Sequence, residues 1–122
     1  MRCAMRYRPK AERVREGSLR GGARRSQEAS LQKAVVKALA WKGWVVIHIP
    51  NQATRGIYMY AGVLPGAPDL LAVKAGRVLF LEVKTEKGYL SEKQRNAHER
   101  LRAEGFEVRV VRGLEDIEDL LS

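Results

Sequence analysis

The sequence predicts an α/β fold: a mixed sheet covered by helices. Three observations carry this. Two stretches of apolar residues at helical spacing, residues 27–42 and 91–104, are separated by short β-type runs. A tight-turn dipeptide, Ala75-Gly76, sits between two such runs and marks a hairpin. A helix between the third and fourth runs favours a crossover connection and a parallel pair.

The elements follow in order. The first helix is expected from about Gln27 to Lys42, with Ser26 as its cap and Gly43 as its stop. Leu31, Val35, Ala38 and Leu39 form its apolar stripe. Trp44 to Ile49 reads as a buried strand stopped by Pro50, and Trp41 and Trp44 as packing between helix and sheet. Residues 51–66 form a long loop rich in glycine and proline, with a short extended piece at Tyr58 to Tyr60. Asp69 to Lys74 and Arg77 to Lys84 form the hairpin. Glu86 to Leu90 is a loop around Gly88, Ser91 to Glu104 the second helix, and Phe106 to Val111 the last strand. A short acidic helix, Leu114 to Leu121, closes the chain.

The 122 residues suit one domain with one modest core. Apolar residues are 45% of the chain, and no apolar run approaches the ~20 residues of a membrane span. No signal-peptide core follows the basic start, so a cytoplasmic protein is expected. A single cysteine, Cys3, excludes an internal disulfide and a cysteine-based zinc site. The net charge is +9, of which residues 1–25 contribute +7. We read residues 1–25 as a flexible basic arm that holds phosphates without reading bases, and residues 26–122 as the folded domain. Residues 28–112 still carry +6, which leaves room for a positive face on the body.

Two strands carry groups that packing does not require. Side chains alternate along a strand, so Glu82 and Lys84 share one face while Leu81 and Val83 share the other. Asp69 lies six residues before Ala75, and Glu82 six residues after Gly76, so the hairpin brings the two carboxylates together. Asp69 alone could be a turn residue, and Glu82 with Lys84 a weak surface ion pair. Their match across the hairpin favours a site. Close carboxylates repel, and a divalent cation relieves that cost. The Val83 backbone carbonyl could add a ligand, and Lys84 could orient or deprotonate a water or stabilise charge on a phosphate. That combination is the chemistry of phosphodiester hydrolysis.

The pattern Gly66-Ala67-Pro68-Asp69, then Glu82-Val83-Lys84, resembles the PD-(D/E)XK nuclease superfamily. Its spacing, with Gly-Tyr-Leu-Ser-Glu-Lys-Gln at residues 88–94, is similar to the stand-alone phage or bacterial form of the VRR-NUC family. The resemblance covers about residues 27–121 and implies a restriction-endonuclease-like core in αβββαβ order. It implies Mg²⁺ or Mn²⁺ as cofactor, with Asp69, Glu82, Lys84 and Gln94 as catalytic residues. It also implies a metal ligand from the first helix, for which Glu28 fits, since it shares a face with Leu31, Val35 and Leu39. Glu28 is equally readable as a first-turn acid favouring the helix dipole. Gln94 also fits a capping box with Ser91.

Lys87, Tyr89, Lys93 and Arg95 surround the start of the second helix and could contact the DNA backbone. Asn51 and Arg55, in the long loop, are assigned the same role, and Tyr58 and Tyr60 could stack on bases or enter a dimer interface. His48 and His98 read as core or surface histidines rather than as a general base. Stand-alone VRR-NUC proteins resemble Holliday-junction resolvases, which implies a homodimer acting on branched DNA in the cytoplasm. The alternatives are a nicking or flap nuclease of phage replication or packaging, and an inactive nucleic-acid binding module.

Overall fold

The computed structural model describes residues 16–50 and 64–122, with side chains from residue 26 onward. Asn51, Arg55, Tyr58 and Tyr60 lie outside the described residues. The element order is α1 (Glu16–Trp41), β1 (Val45–His48), β2 (Leu70–Lys74), β3 (Arg77–Val83), α2 (Glu92–Ala103), β4 (Glu107–Val111) and a C-terminal 3-10 helix (Leu114–Leu120). The strands form one mixed sheet in the order β1-β2-β3-β4. β1 pairs antiparallel with β2, β2 antiparallel with β3, and β3 parallel with β4. The parallel pair needs a crossover, which α2 supplies. The expected α/β class and αβββαβ order hold.

Strand alternation sorts the two faces. Leu70, Ala72, Leu79, Leu81 and Val83 join Val35 and Leu39 of α1 in one buried cluster, with Val111, Ile117 and Leu120. Phe80 and Glu82 point the other way, toward α2 and the start of β4. There Ala97 and His98 are buried and Phe80 meets the Phe106 ring edge-on, with centroids 6.0 Å apart. The apolar core thus lies under α1, and the opposite face is where a polar group can be enclosed.

The helix end is built as expected. Gly43 adopts φ +93, and the Trp44 N–H returns to the Leu39 carbonyl at 3.0 Å. This left-handed closure needs glycine and turns the chain back along the helix. Trp44 is then buried, and its indole Nε1 donates to the Leu120 carbonyl at 2.9 Å. That bond ties the C-terminal 3-10 helix to the junction of α1 and β1. Trp44→Phe keeps most of the buried area and removes the donor. It is expected to cost about 1–2 kcal/mol, read as a lower midpoint in urea unfolding.

Four expectations need correction. α1 begins at Glu16, not near Gln27, so Ser26 is inside the helix and does not cap it. Residues 16–25 include Glu, Leu, Ala and three Arg, all good helix formers, and the Gly21-Gly22 pair is tolerated at about 1 kcal/mol per glycine. β1 is not a buried strand. It is the sheet edge, with α1 over one face only, so Val45 is 60% exposed and Ile47 also faces out. Trp41 is 85% exposed and packs between nothing. The closing helix is of the 3-10 kind, held by Arg109 Nη1 on the Asp116 carbonyl at 3.0 Å and by the Asp116 carboxylate on the Arg112 N–H at 2.8 Å.

Candidate active site

The hairpin register pairs Leu70 with Leu81. One step further out, Asp69 stands opposite Glu82. The backbone ladder ends here, and a side chain replaces it: the Val83 N–H donates to Asp69 Oδ2 at 2.9 Å. The Asp69 carbonyl in turn accepts from the Ile49 N–H at 2.8 Å. Asp69 is therefore fixed from both sides at the open end of the hairpin. Val83 is buried, and its N–H, rather than its carbonyl, makes the contact to Asp69.

Glu82 is only 1% exposed. Two side chains of α2 reach its carboxyl oxygens. Gln94 Nε2 donates to Oε2 at 3.3 Å, and His98 Nε2 lies 3.2 Å from Oε1. Burial is the main force that pushes the Glu82 carboxyl up to about 8. The Asp69 charge and a hydrogen bond with Asp69 push it further, and Glu28 adds to them. The Lys84 ammonium pulls the other way. Near neutrality the group holds a proton that a cation would have to displace.

Gln94 forms the capping box that its position offered. Its backbone N–H donates to Ser91 Oγ at 3.1 Å and its Oε1 accepts from the Ser91 N–H at 2.9 Å, so the capping box is formed. Its Nε2 meanwhile reaches Glu82. One amide serves the helix end with its oxygen and the acid with its nitrogen.

Lys84 follows β3 directly, and its backbone N–H donates to the Val111 carbonyl at 3.0 Å. It sits half-buried beside the acids. Glu28 is half-buried on α1, near enough for its charge to act on Glu82. Among the described residues no three His, Cys, Asp or Glu side chains converge as a ready-made metal cage. Lys87, Tyr89, Lys93 and Arg95 are all exposed around the loop before α2, Tyr89 at 89%. Arg95 also spends Nη1 on the Leu90 carbonyl at 2.8 Å, which fixes that loop.

Three residues that help build the site were given no such role from the sequence. His98 lies one helical turn from Gln94 on the same stripe, and that spacing was its only signal. Burial, then the nearby Arg102 charge, lowers its pKa from the usual histidine value. Arg112 gathers the loop after Lys84, with Nη1 donating to the Thr85 and Gly88 carbonyls at 2.8 and 2.7 Å. Gly66, at φ +80, lets the chain before Asp69 press on the first turn of α2. A Cβ there would stand 2.4 Å from the Lys93 backbone carbonyl.

An acid pair and a lysine at the open end of a hairpin, backed by a crossover helix, match the arrangement of the PD-(D/E)XK type. The chain belongs to the VRR-NUC family, whose domain it matches over residues 26–115. Membership gives it a nuclease-type function on DNA. A solved structure described as a VRR_NUC domain superposes with a TM-score of 0.59 at 29% identity, covering 78% of this chain and 94% of its own. A second, described as a VRR_NUC domain protein, gives a TM-score of 0.58 at 21% identity, covering 77% and 84%, and shows the shared fold. A comparison with curated proteins finds no match. Among the described residues no helix is long and apolar enough to cross a membrane.

Proposed function

We propose that this protein is a divalent-metal-dependent DNA endonuclease that selects branched DNA and acts as a homodimer. The observation that carries the hydrolytic reading is the buried Glu82 carboxyl, held against Asp69 and beside Lys84 at the one end of the sheet where the ladder opens.

The residues present fit Mg²⁺ or Mn²⁺. A buried acid raised to about 8 by its surroundings is a site whose charge is uncompensated. Mg²⁺ usually takes one or two carboxylates and completes its shell with water and substrate phosphate, so a preformed cage is not needed. Asp69 and Glu82 would hold it, with Glu28 and the Val83 carbonyl as further oxygens. When bound, the cation would polarise the scissile phosphodiester and acidify a water. The chain's own residues do the rest. Asp69, anchored by the Val83 N–H, fixes where the acid pair points. Lys84, two residues after Glu82, would hold the attacking water or take its proton, and steady charge on the phosphate. Gln94 keeps Glu82 in place. Lys87, Tyr89, Lys93 and Arg95 offer an exposed basic and aromatic rim for the DNA backbone. The arginines of residues 1–25 and Arg55 add positive charge for phosphate contacts, and Asn51 adds a neutral amide donor.

The homodimer reading rests on size. One such chain has little surface for grasping a branched duplex, and the apolar edge of Trp41, Val45 and Ile47 offers area for a second copy.

The test is a cleavage panel of linear, flap, splayed and four-way DNA with Mg²⁺ or Mn²⁺. Cutting is expected first on the four-way substrate. A preference for flaps or nicked duplex would favour the replication or packaging alternative. DNA binding with no cutting of any substrate would leave only a binding module. Within the panel, Lys84→Ala is expected to lower kcat by about 10²–10⁴-fold, as for loss of an acid–base group. Its KM should stay within a few-fold of the parent's.

A further inference from the structure

A glutamate turns about three side-chain bonds, so burial alone does not aim its carboxylate. In this fold α2 does the aiming. Gln94 and His98 stand one turn apart on the same helix face, and each takes one oxygen of Glu82. His98 is fully buried, and among the described residues its buried Nδ1 has no hydrogen-bond partner. A neutral imidazole has one N–H. Placed on Nδ1, that N–H would be a buried donor facing nothing, which is costly. Placed on Nε2, it meets Glu82 Oε1 at 3.2 Å. The arrangement matches an outer-sphere histidine, which fixes the orientation of a ligating group without touching the cation.

The geometry assigns His98 as a positioning residue: its Nε2–H, with the Gln94 amide, fixes the plane of the Glu82 carboxylate so that the remaining lone pairs face Asp69 and Lys84. This rests on the reading of Glu82 as a working acid of the nuclease site. The competing account is that His98 only fills space, in which case an apolar side chain of similar volume would serve as well.

The experiment uses the full chain and three variants, His98→Leu, His98→Gln and Glu82→Ala. Mn²⁺ affinity is measured by calorimetry, kcat and KM on one DNA substrate, and fold stability by urea unfolding. The parent loaded with Mg²⁺ is also examined by ¹⁵N NMR for the His98 tautomer. His98→Leu is expected to bind Mn²⁺ about 10–100-fold more weakly. Its kcat should fall with KM unchanged. His98→Gln, which returns a donor, should regain most of both. The parent ring should carry its proton on Nε2. A leucine variant that binds Mn²⁺ and cuts like the parent overturns the assignment, as does a proton found on Nδ1. Should His98→Leu fail to fold, the tautomer in the parent still decides. Glu82→Ala separates this from the underlying reading. If it binds Mn²⁺ and cuts like the parent, Glu82 is not a working acid and both readings fall. If it loses both while His98→Leu does not, only the His98 role falls.

Discussion

Glu82→Gln is expected to yield a protein that no longer cuts DNA yet is more stable, without metal at pH 8.5, than the parent. The sign follows from the raised carboxyl. Its value in the folded protein, about 8, lies above the ordinary 4.5. Its contribution to stability is therefore complete below about 4.5 and is lost as pH rises through 8, levelling off above that. At about 1.4 kcal/mol per unit, the loss amounts to a few kcal/mol. Glutamine has nearly the same volume and no charge to bury, so it escapes that loss. It also cannot supply the second negative group a cation needs. Melting temperatures should thus favour the variant at pH 8.5 and converge toward pH 5. Added Mg²⁺ or Mn²⁺ should raise the parent's melting temperature more at pH 8.5 than at pH 6, where protons compete, and leave the variant's unchanged. A variant that melts below the parent at pH 8.5, or that cuts, would contradict the account of Glu82.

Gly66→Ala is expected to damage both fold and activity. The residue sits at φ +80, which side chains resist, and the added Cβ would lie 2.4 Å from the Lys93 carbonyl and 2.7 Å from the Gln94 nitrogen. Those are backbone atoms of a capped helix turn and cannot swing aside. Strain and overpacking together should cost about 3 kcal/mol or more. If the chain yields instead, it separates the approach to Asp69 from the turn carrying Gln94, and cutting falls in a protein that still folds. Gly76→Ala is the control. Gly76 has a similar φ of +82 but nothing within 4 Å, so only the conformational cost of about 1–2 kcal/mol applies and cutting is retained. Equal behaviour of the two variants would mean that the contact with α2 is unimportant.

The firmest part of the site was legible because it depends on local arithmetic. The equal distances of Asp69 and Glu82 from the Ala75-Gly76 turn became their facing positions in the register. What stayed hidden depends on packing between distant segments. His98 has the periodicity of a core residue, and only the docking of α2 on β3 makes it a partner of Glu82. Nothing in Gly66 or Arg112 announces an approach to Lys93 or a hold on the loop at Thr85 to Gly88. The two tryptophans could not be told apart by pattern. Trp44 falls after the helix turns back and reaches Leu120, while Trp41 ends on solvent. Likewise β1 looked like an interior strand because its residues are apolar, and exposure is decided by strand order.

The double duty of Gln94 has a consequence for when the acid pair gains its support during maturation. Asp69, Glu82 and Lys84 all leave the ribosome before α2 does. Their clamp exists only once Ser91 and Gln94 have closed the helix end, since the same amide does both. An unfinished chain, or one whose second helix has frayed, holds its acids without support. Support for the acid pair then arrives late in maturation and lapses with the first local unfolding of α2.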